Sequence, residues 1–332
     1  MKKIAKTLIF FVGDTIVLFF TKVPLINFLF VHLLKYMARF GKGTNYLAEN
    51  GVMVYPIHFY YPVPDILKLR NSKIFDRVSP LSGIDFNEEG QLKYLTTISK
   101  EYSIECDFPA NKTEVETEYF TENGGFSYGC AAFLHTIIRH HKPKRIIEVG
   151  IGQSSKVINK ALNLNKNDGY EANYTAIDPY PPHYIKDLSN LSNLIARPVE
   201  ELDVDLFSEL GANDILFIDS SHQVKIGNDV VFLYLEVLPI LKPGVIVHIH
   251  DIGFPNEYPK AYFLNEKFRV AWNEQYLLQA FLINNSKFKV LLGAANIMRK
   301  FKNQFKESFP LYNPSHHLNS SGSFWMQRTI EN

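Results

Sequence analysis

From Phe126 onward the chain alternates short apolar strand patterns with helical ones, and this order limits the fold more than any other feature of the sequence. A helical pattern over 131–141 leads into a strand over 145–149, a helix over 154–162 and a strand over 174–177. A short strand near 194–196, a strand over 214–218, a helix over 229–238 and a strand over 245–250 follow. The strands are near-continuous apolar runs, so both faces of their sheet must be covered. The expected fold is α/β, a Rossmann-like, doubly wound, mostly parallel sheet, with the tail 321–328 as a final edge strand.

Composition sets the outer limits. With 332 residues and 46% of them apolar, the chain can bury a sizeable core. Its 35 basic and 34 acidic residues leave a net charge of +1, which argues against a nucleic-acid partner gripped by counterion release. The two cysteines, Cys106 and Cys130, fit neither a disulfide framework nor a zinc site, so a reducing cytoplasmic setting is the default.

Ahead of the alternating region lie two further parts. Residues 1–40 carry Lys2, Lys3 and Lys6, an apolar stretch interrupted by Asp14, then Lys22 and a second apolar stretch. The internal carboxylate and the lack of a small-residue cleavage site disfavour a signal peptide, and the charges disfavour a span. The pattern predicts amphipathic helices lying on a membrane, which would make the protein peripheral to the inner face of the cytoplasmic membrane. Packing on the domain or in a homo-oligomer interface is the competing reading. Residues 41–125 read as an irregular extension. Pro56, Pro62 and Pro64 exclude a continuous helix or central strand in the aromatic segment 55–65, and a helix is expected around 91–102. The domain proper is expected over 126–330.

The strand over 145–149 ends in Glu148-Val149-Gly150-Ile151-Gly152-Gln153-Ser154-Ser155. Glycines at 150 and 152 let backbone pass close to a ligand, and the new helix offers free N–H groups, with Ser154 or Ser155 as its cap. The next strand ends at Asp178, where a carboxylate can accept hydrogen bonds from ribose hydroxyls. Together these point to a nucleoside cofactor. Position 155 is serine where a dinucleotide fingerprint needs a third glycine, which demotes NAD and an oxidoreductase to an alternative. The whole pattern resembles motif I of class I S-adenosylmethionine-dependent methyltransferases. That resemblance covers about 126–255 and implies that Glu148, Gly150, Gly152 and Gln153 line the methionine part of S-adenosyl-L-methionine while Asp178 holds the ribose, with Ser154 also among the cofactor-binding residues.

Two more strand ends carry chemistry. One runs Phe217-Ile218-Asp219-Ser220-Ser221-His222, the other Val247-His248-Ile249-His250-Asp251. Imidazoles and carboxylates on apolar strands are costly unless paired, ligated or catalytic, and in a parallel sheet the carboxyl ends of neighbouring strands meet at the ligand crevice. Asp219, His222, His250 and Asp251 should therefore converge. The Asp-x-x-His spacing resembles metal-dependent sugar O-methyltransferases of the mycinamicin type. By that resemblance Asp219, His250 and Asp251 would hold a divalent cation and His222 would be the general base, with Asp219 and Asp251 beside it in the catalytic group. His250 stands where that group has Glu, which shifts preference from Mg²⁺ toward softer ions or no metal.

The aromatic, proline-punctuated insertion over about 252–275 reads as a lid, with Tyr258, Tyr262 and Trp272 able to stack on a sugar and Glu274 able to close the site. The segments 55–65, 217–222, 247–252 and 272–279 together resemble a bacterial group of methyltransferase-domain proteins associated with surface polysaccharide or small-molecule pathways. The expected activity is methyl transfer to a hydroxyl of a saccharide or saccharide-like acceptor. The competing class is a nucleotide-binding or metal-assisted hydrolytic protein on the same sheet.

Overall fold

The computed structural model describes residues 15–265, 269–315 and 321–329, and it divides into two units, Met1–Ser72 and Lys73–Asn332. The second is built on a seven-stranded sheet. In chain order its strands are β1 (Arg145–Val149), β2 (Asn173–Ile177), β3 (Leu191–Ile195), β4 (Ile215–Ile218), β5 (Ile246–Ile249), β6 (Phe288–Gly293) and β7 (Phe324–Arg328). Their spatial order is β3-β2-β1-β4-β5-β7-β6. The first five are mutually parallel, and β7 runs antiparallel to both β5 and β6.

Strand periodicity sorts the apolar side chains into two cores. Ile146, Ile215, Phe217 and Ile246 face one cluster, together with Phe133 and Ile137 of the helix Tyr128–His141. Val149, Leu216, Ile218, Val247 and Ile249 face the other, with Val230, Leu233 and Val237. Both faces of the parallel part are thus covered, as its unbroken apolar strands require. On the second face the helix beginning at Asp229–Phe232 widens into a π-turn over Leu233–Val237 before Leu238–Ile240. Pro239 has no N–H and crowds the preceding turn, and the wider turn accommodates it.

Two sequence expectations change here. The tail strand is not an edge: β7 is inserted between β5 and β6, and β6 itself was not anticipated. The β-sheet unit starts at Lys73, because the helix Glu88–Tyr102 buries Leu95 and Ile98 in the first core, and Gln91 accepts the Gly293 N–H at 2.8 Å. Residues 73–125 therefore belong to the domain rather than to an irregular extension. His316 and His317, expected in a loop, lie outside the described residues.

Within this unit an ion cluster fastens residues 73–125 to the helices that flank the sheet. Glu105 accepts from Arg139 Nε at 2.8 Å and Nη2 at 3.0 Å, and pairs with His135 Nε2 at 2.8 Å. Arg139 also donates to Asn165 at 2.6 Å, pairs with Asp168 at 2.9 Å and lies over the Tyr102 ring. Burial alone would raise the Glu105 pKa, but the hydrogen bonds from His135 and Arg139 outweigh it and hold the carboxyl at about 2. Because the folded value lies below the unfolded one, the stabilisation is complete above about pH 4.5 and lost as pH falls toward 2. The Glu105→Gln variant should be less stable at pH 7 by on the order of 2 kcal/mol. Urea midpoints measured from pH 7 to 3 should show that gap closing below about pH 4. A gap independent of pH would refute the assignment.

The unit Met1–Ser72 contains helices Thr15–Lys22, Pro24–Phe40, Thr44–Glu49 and Ile66–Arg70 among its described residues. None of the last three buries a residue, and the first two meet at a bend of 93°. No single described helix is long and apolar enough to cross a membrane, although the bent pair passes that test by length and composition.

Candidate active site

The carboxyl ends of β1, β2, β4 and β5 extend one another's ladders: Gly150 N–H donates to Ile177, Asp219 N–H to Val149 and His250 N–H to Ile218, each at 2.9 Å. The turn after β1 passes so close to β4 that a Cβ on Gly150 would lie 1.8 Å from the Asp219 carbonyl oxygen, and its φ is +86°. Gly152 differs: nothing lies within 4 Å of where its Cβ would be. Beside this turn a crevice of about 400 Å³ is lined by Gly150, Asp178, Pro179, Tyr180, Asp219 and Ser220, among others. Asp178 accepts from the N–H of Ile151 at 3.0 Å and of Tyr180 at 2.6 Å, so it ties the glycine turn to the loop after β2. A carboxylate has about four acceptor sites, so two remain for a ligand.

Glu148 and Ser154 do not face this crevice. Both are buried; Glu148 accepts from Ser154 Oγ at 2.6 Å, from Ser155 Oγ at 2.8 Å and from the Tyr174 hydroxyl. Burial pushes its carboxyl up to about 7 against the pull of these three donors. Neither serine caps the helix Gln153–Asn167 in the expected way. Gly152 is the N-cap, and Ser155 Oγ accepts its N–H at 3.3 Å. The network sets the shape of the turn from behind. On its other side Tyr184, which the sequence did not single out, donates to the Gly152 carbonyl at 2.7 Å. The proline and aromatic run directly after Asp178 was the available signal.

Next to Asp219, which lines the crevice, His222 is enclosed by carboxylates. Its Nδ1 pairs with Glu274 at 2.8 Å, and its Nε2 lies 3.3 Å from Asp219 and 3.5 Å from Asp251. Glu274 is fully buried, whereas Asp219 and Asp251 keep 29% and 23% of their side chains exposed. Burial would lower the His222 pKa; hydrogen bonds to Asp219 and Glu274 and their charges overcome this and push it up to about 10. Burial conversely lifts Glu274, beside which the Tyr234 phenol is buried. The His222 carbonyl accepts N–H bonds from Asn273 and Glu274, so its loop and the helix Glu274–Leu282 are locked together. His222 and Asp251 both have left-handed backbone, with φ of +57° and +55°. Such conformations in non-glycine residues collect at functional sites.

Residues 147–252, which include the glycine turn, Asp178, Asp219, His222, His250 and Asp251, match a protein family described as methyltransferase domain. An Archaeoglobus fulgidus protein described only as uncharacterized is 34% identical over 186 residues, 52% of this chain and 81% of that one. Residues 147–252 of the chain are a methyltransferase domain, and the chain belongs to one family with the Archaeoglobus fulgidus protein. A solved Plasmodium falciparum structure, of a putative protein-L-isoaspartate O-methyltransferase in complex with S-adenosyl-L-homocysteine, is 12% identical with a TM-score of 0.26, over 48% of this chain and 83% of that one.

Within the methyltransferase domain the expected metal set does not fit a cation. Among the described residues no group of three or more His, Cys, Asp and Glu is arranged to hold one. The reason is local: the His222 imidazole lies between Asp219 and Asp251, its Nε2 3.3 and 3.5 Å from them, and occupies the space between the two carboxylates. His250 is 3.7 Å from Asp251 and stacks on Phe126, which gives its ring an apolar neighbour instead of a ligand sphere.

The insertion divides into buried and open aromatics. Tyr258 is only 8% exposed and its hydroxyl accepts the Gln275 N–H at 3.0 Å, so it is a packing residue and is not free to stack on a sugar. Trp272 and Tyr262 are half-buried, 5.0 Å apart edge to face, and Trp272 lies 4.5 Å from the His222 ring. They remain available to an acceptor beside His222.

Proposed function

We propose that the protein transfers a methyl group from S-adenosyl-L-methionine to a hydroxyl of a saccharide or saccharide-like acceptor. One observation carries the reading: Gly150 of the glycine turn, Asp178 and Asp219 line one crevice at the carboxyl ends of β1, β2 and β4, and Asp219 lies 3.3 Å from His222. Buried, unpartnered polar atoms at this end, Gln153 Oε1 and Ser220 Oγ, suit a polar ligand. In this reading Asp178 accepts from the ribose hydroxyls, and the space beside Gly152 takes the methionine part. When bound, the donor supplies an electrophilic methyl group. The chain's part is to hold the acceptor hydroxyl in line, exclude water and take its proton.

His222 takes that proton on Nε2, while Glu274 on Nδ1 fixes the ring and steadies the resulting imidazolium. Trp272 and Tyr262 offer an aromatic wall of the kind sugar rings stack on.

Calorimetry on the full chain tests the donor site. S-adenosylmethionine and S-adenosylhomocysteine should both bind, and Asp178→Ala should weaken them by about tenfold or more, the loss expected for hydrogen bonds to a charged acceptor. Failure of both to bind would overturn the reading. Labelled methyl appearing on saccharides tests the acceptor; donor binding with transfer only to other hydroxyl compounds would retire the saccharide alone.

A further inference from the structure

The helices Thr15–Lys22 and Pro24–Phe40 present apolar surface that nothing within their unit covers. On the longer helix Leu25, Leu29, Leu33, Tyr36 and Phe40 follow one another at helical spacing and are 67%, 58%, 55%, 50% and 58% exposed. His32, Lys35 and Arg39 form a separate stripe at the same spacing. Val17, Leu18 and Phe19 continue the apolar surface on the shorter helix. In the same unit the segment 52–63 exposes Met53, Ile57, Phe59 and Tyr60, the last two at 82% each.

Charge decides what such a surface meets. Between Thr15 and Val63 the charged residues are Lys22, Lys35, Arg39 and Lys42 against one acid, Glu49. Lys2, Lys3 and Lys6 precede them in sequence, against one acid, Asp14. A second copy of this unit would bring like charge against like charge. An anionic lipid surface complements both features, taking the apolar stripe below its headgroups and the lysines and arginine at them. The 93° bend and the cations at 22, 35 and 39 favour a helix pair lying along the surface over one passing through it.

We infer that residues 15–63 are a monotopic membrane-binding element that docks on the surface of a bilayer containing anionic lipid. The inference does not rest on the proposed methyl transfer, and its test uses no donor.

Flotation of the full-length chain with vesicles of phosphatidylcholine alone and with about one third phosphatidylglycerol is the measurement. The expected result is at least about tenfold greater recovery with the anionic vesicles, reversed by 0.5 M salt, since the basic residues act through a screened field. Leu29→Glu with Leu33→Glu should abolish recovery, and Lys35→Glu with Arg39→Glu should remove the preference for anionic lipid. Circular dichroism melts of both variants should match the parent, because these side chains are exposed. Equal, salt-resistant and alkali-resistant recovery with both vesicle types would indicate a span and overturn the inference. So would no recovery from a chain that light scattering shows to be a dimer broken by Leu29→Glu with Leu33→Glu.

Discussion

Gly150→Ala should unfold or badly weaken the domain, whereas Gly152→Ala should leave stability nearly intact and remove donor binding. The two glycines are a residue apart, but their surroundings differ in kind. A methyl on Gly150 would lie 1.8 Å from the Asp219 carbonyl oxygen, which is backbone held in the β1–β4 ladder and cannot rotate away. Its φ of +86° adds strain for any L side chain. Overpacking and backbone strain together cost on the order of 3–4 kcal/mol, a large share of a domain's stability. At Gly152 the new methyl meets no protein atom within 4 Å, and a φ of −163° is extended backbone. Loss of a glycine N-cap there costs under about 1 kcal/mol. The methyl instead enters the space assigned to the donor, and S-adenosylhomocysteine affinity should fall at least about tenfold, or 1.4 kcal/mol. Urea denaturation and calorimetry on both variants check this. Equal stability losses would show that Gly152 is structural, and unaltered affinity in Gly152→Ala would place the donor elsewhere.

The strands that build the crevice were readable because each is a run of apolar residues ended by a polar residue or glycine, and burial on both faces leaves that trace in any such strand. The strand β6 left a weaker one. Lys289 interrupts it, and its partner β7 follows only after two further helices, so nothing local marks it as paired. The interior place of β7 was equally hidden, since strand order is a property of the assembled sheet. Helix Glu88–Tyr102 was legible as a helix, but proline and polar residues around it obscured that Leu95 and Ile98 complete the first core.

At the site, Glu148 shows what closer use of periodicity would have revealed. Two residues from Ile146, it must share that side chain's face of the strand, and so it points under the helices rather than over the strand end. Convergence of Asp219, His222, His250 and Asp251 followed from topology alone. Their partition into ion pairs did not, because whether an imidazole or a metal lies between two carboxylates depends on ångström-scale placement.

That placement sets the pH behaviour expected of catalysis. His222→Ala should lower kcat/KM by about 10²–10⁴-fold, the usual worth of a positioned base, with donor affinity little changed. In the parent protein only neutral His222 can accept a proton, and with its pKa pushed up to about 10 the ring is cationic in all but roughly one molecule in a thousand at pH 7. The carboxylates that make His222 a strong base thus keep it scarce. log kcat/KM should therefore rise with unit slope through neutrality and level off near pH 10, not near the 6.5 of an unperturbed imidazole. Glu274→Gln removes the negative charge 2.8 Å from Nδ1, leaving Asp219, Asp251 and His250 as the charged or titratable neighbours. The limb should then move down by about one to two pH units. A rate that already levels off near pH 7 in the parent, or a limb unmoved by Glu274→Gln in a variant with parental melting, would remove His222 from the proton-accepting role and leave its imidazolium as the pin between Asp219 and Asp251.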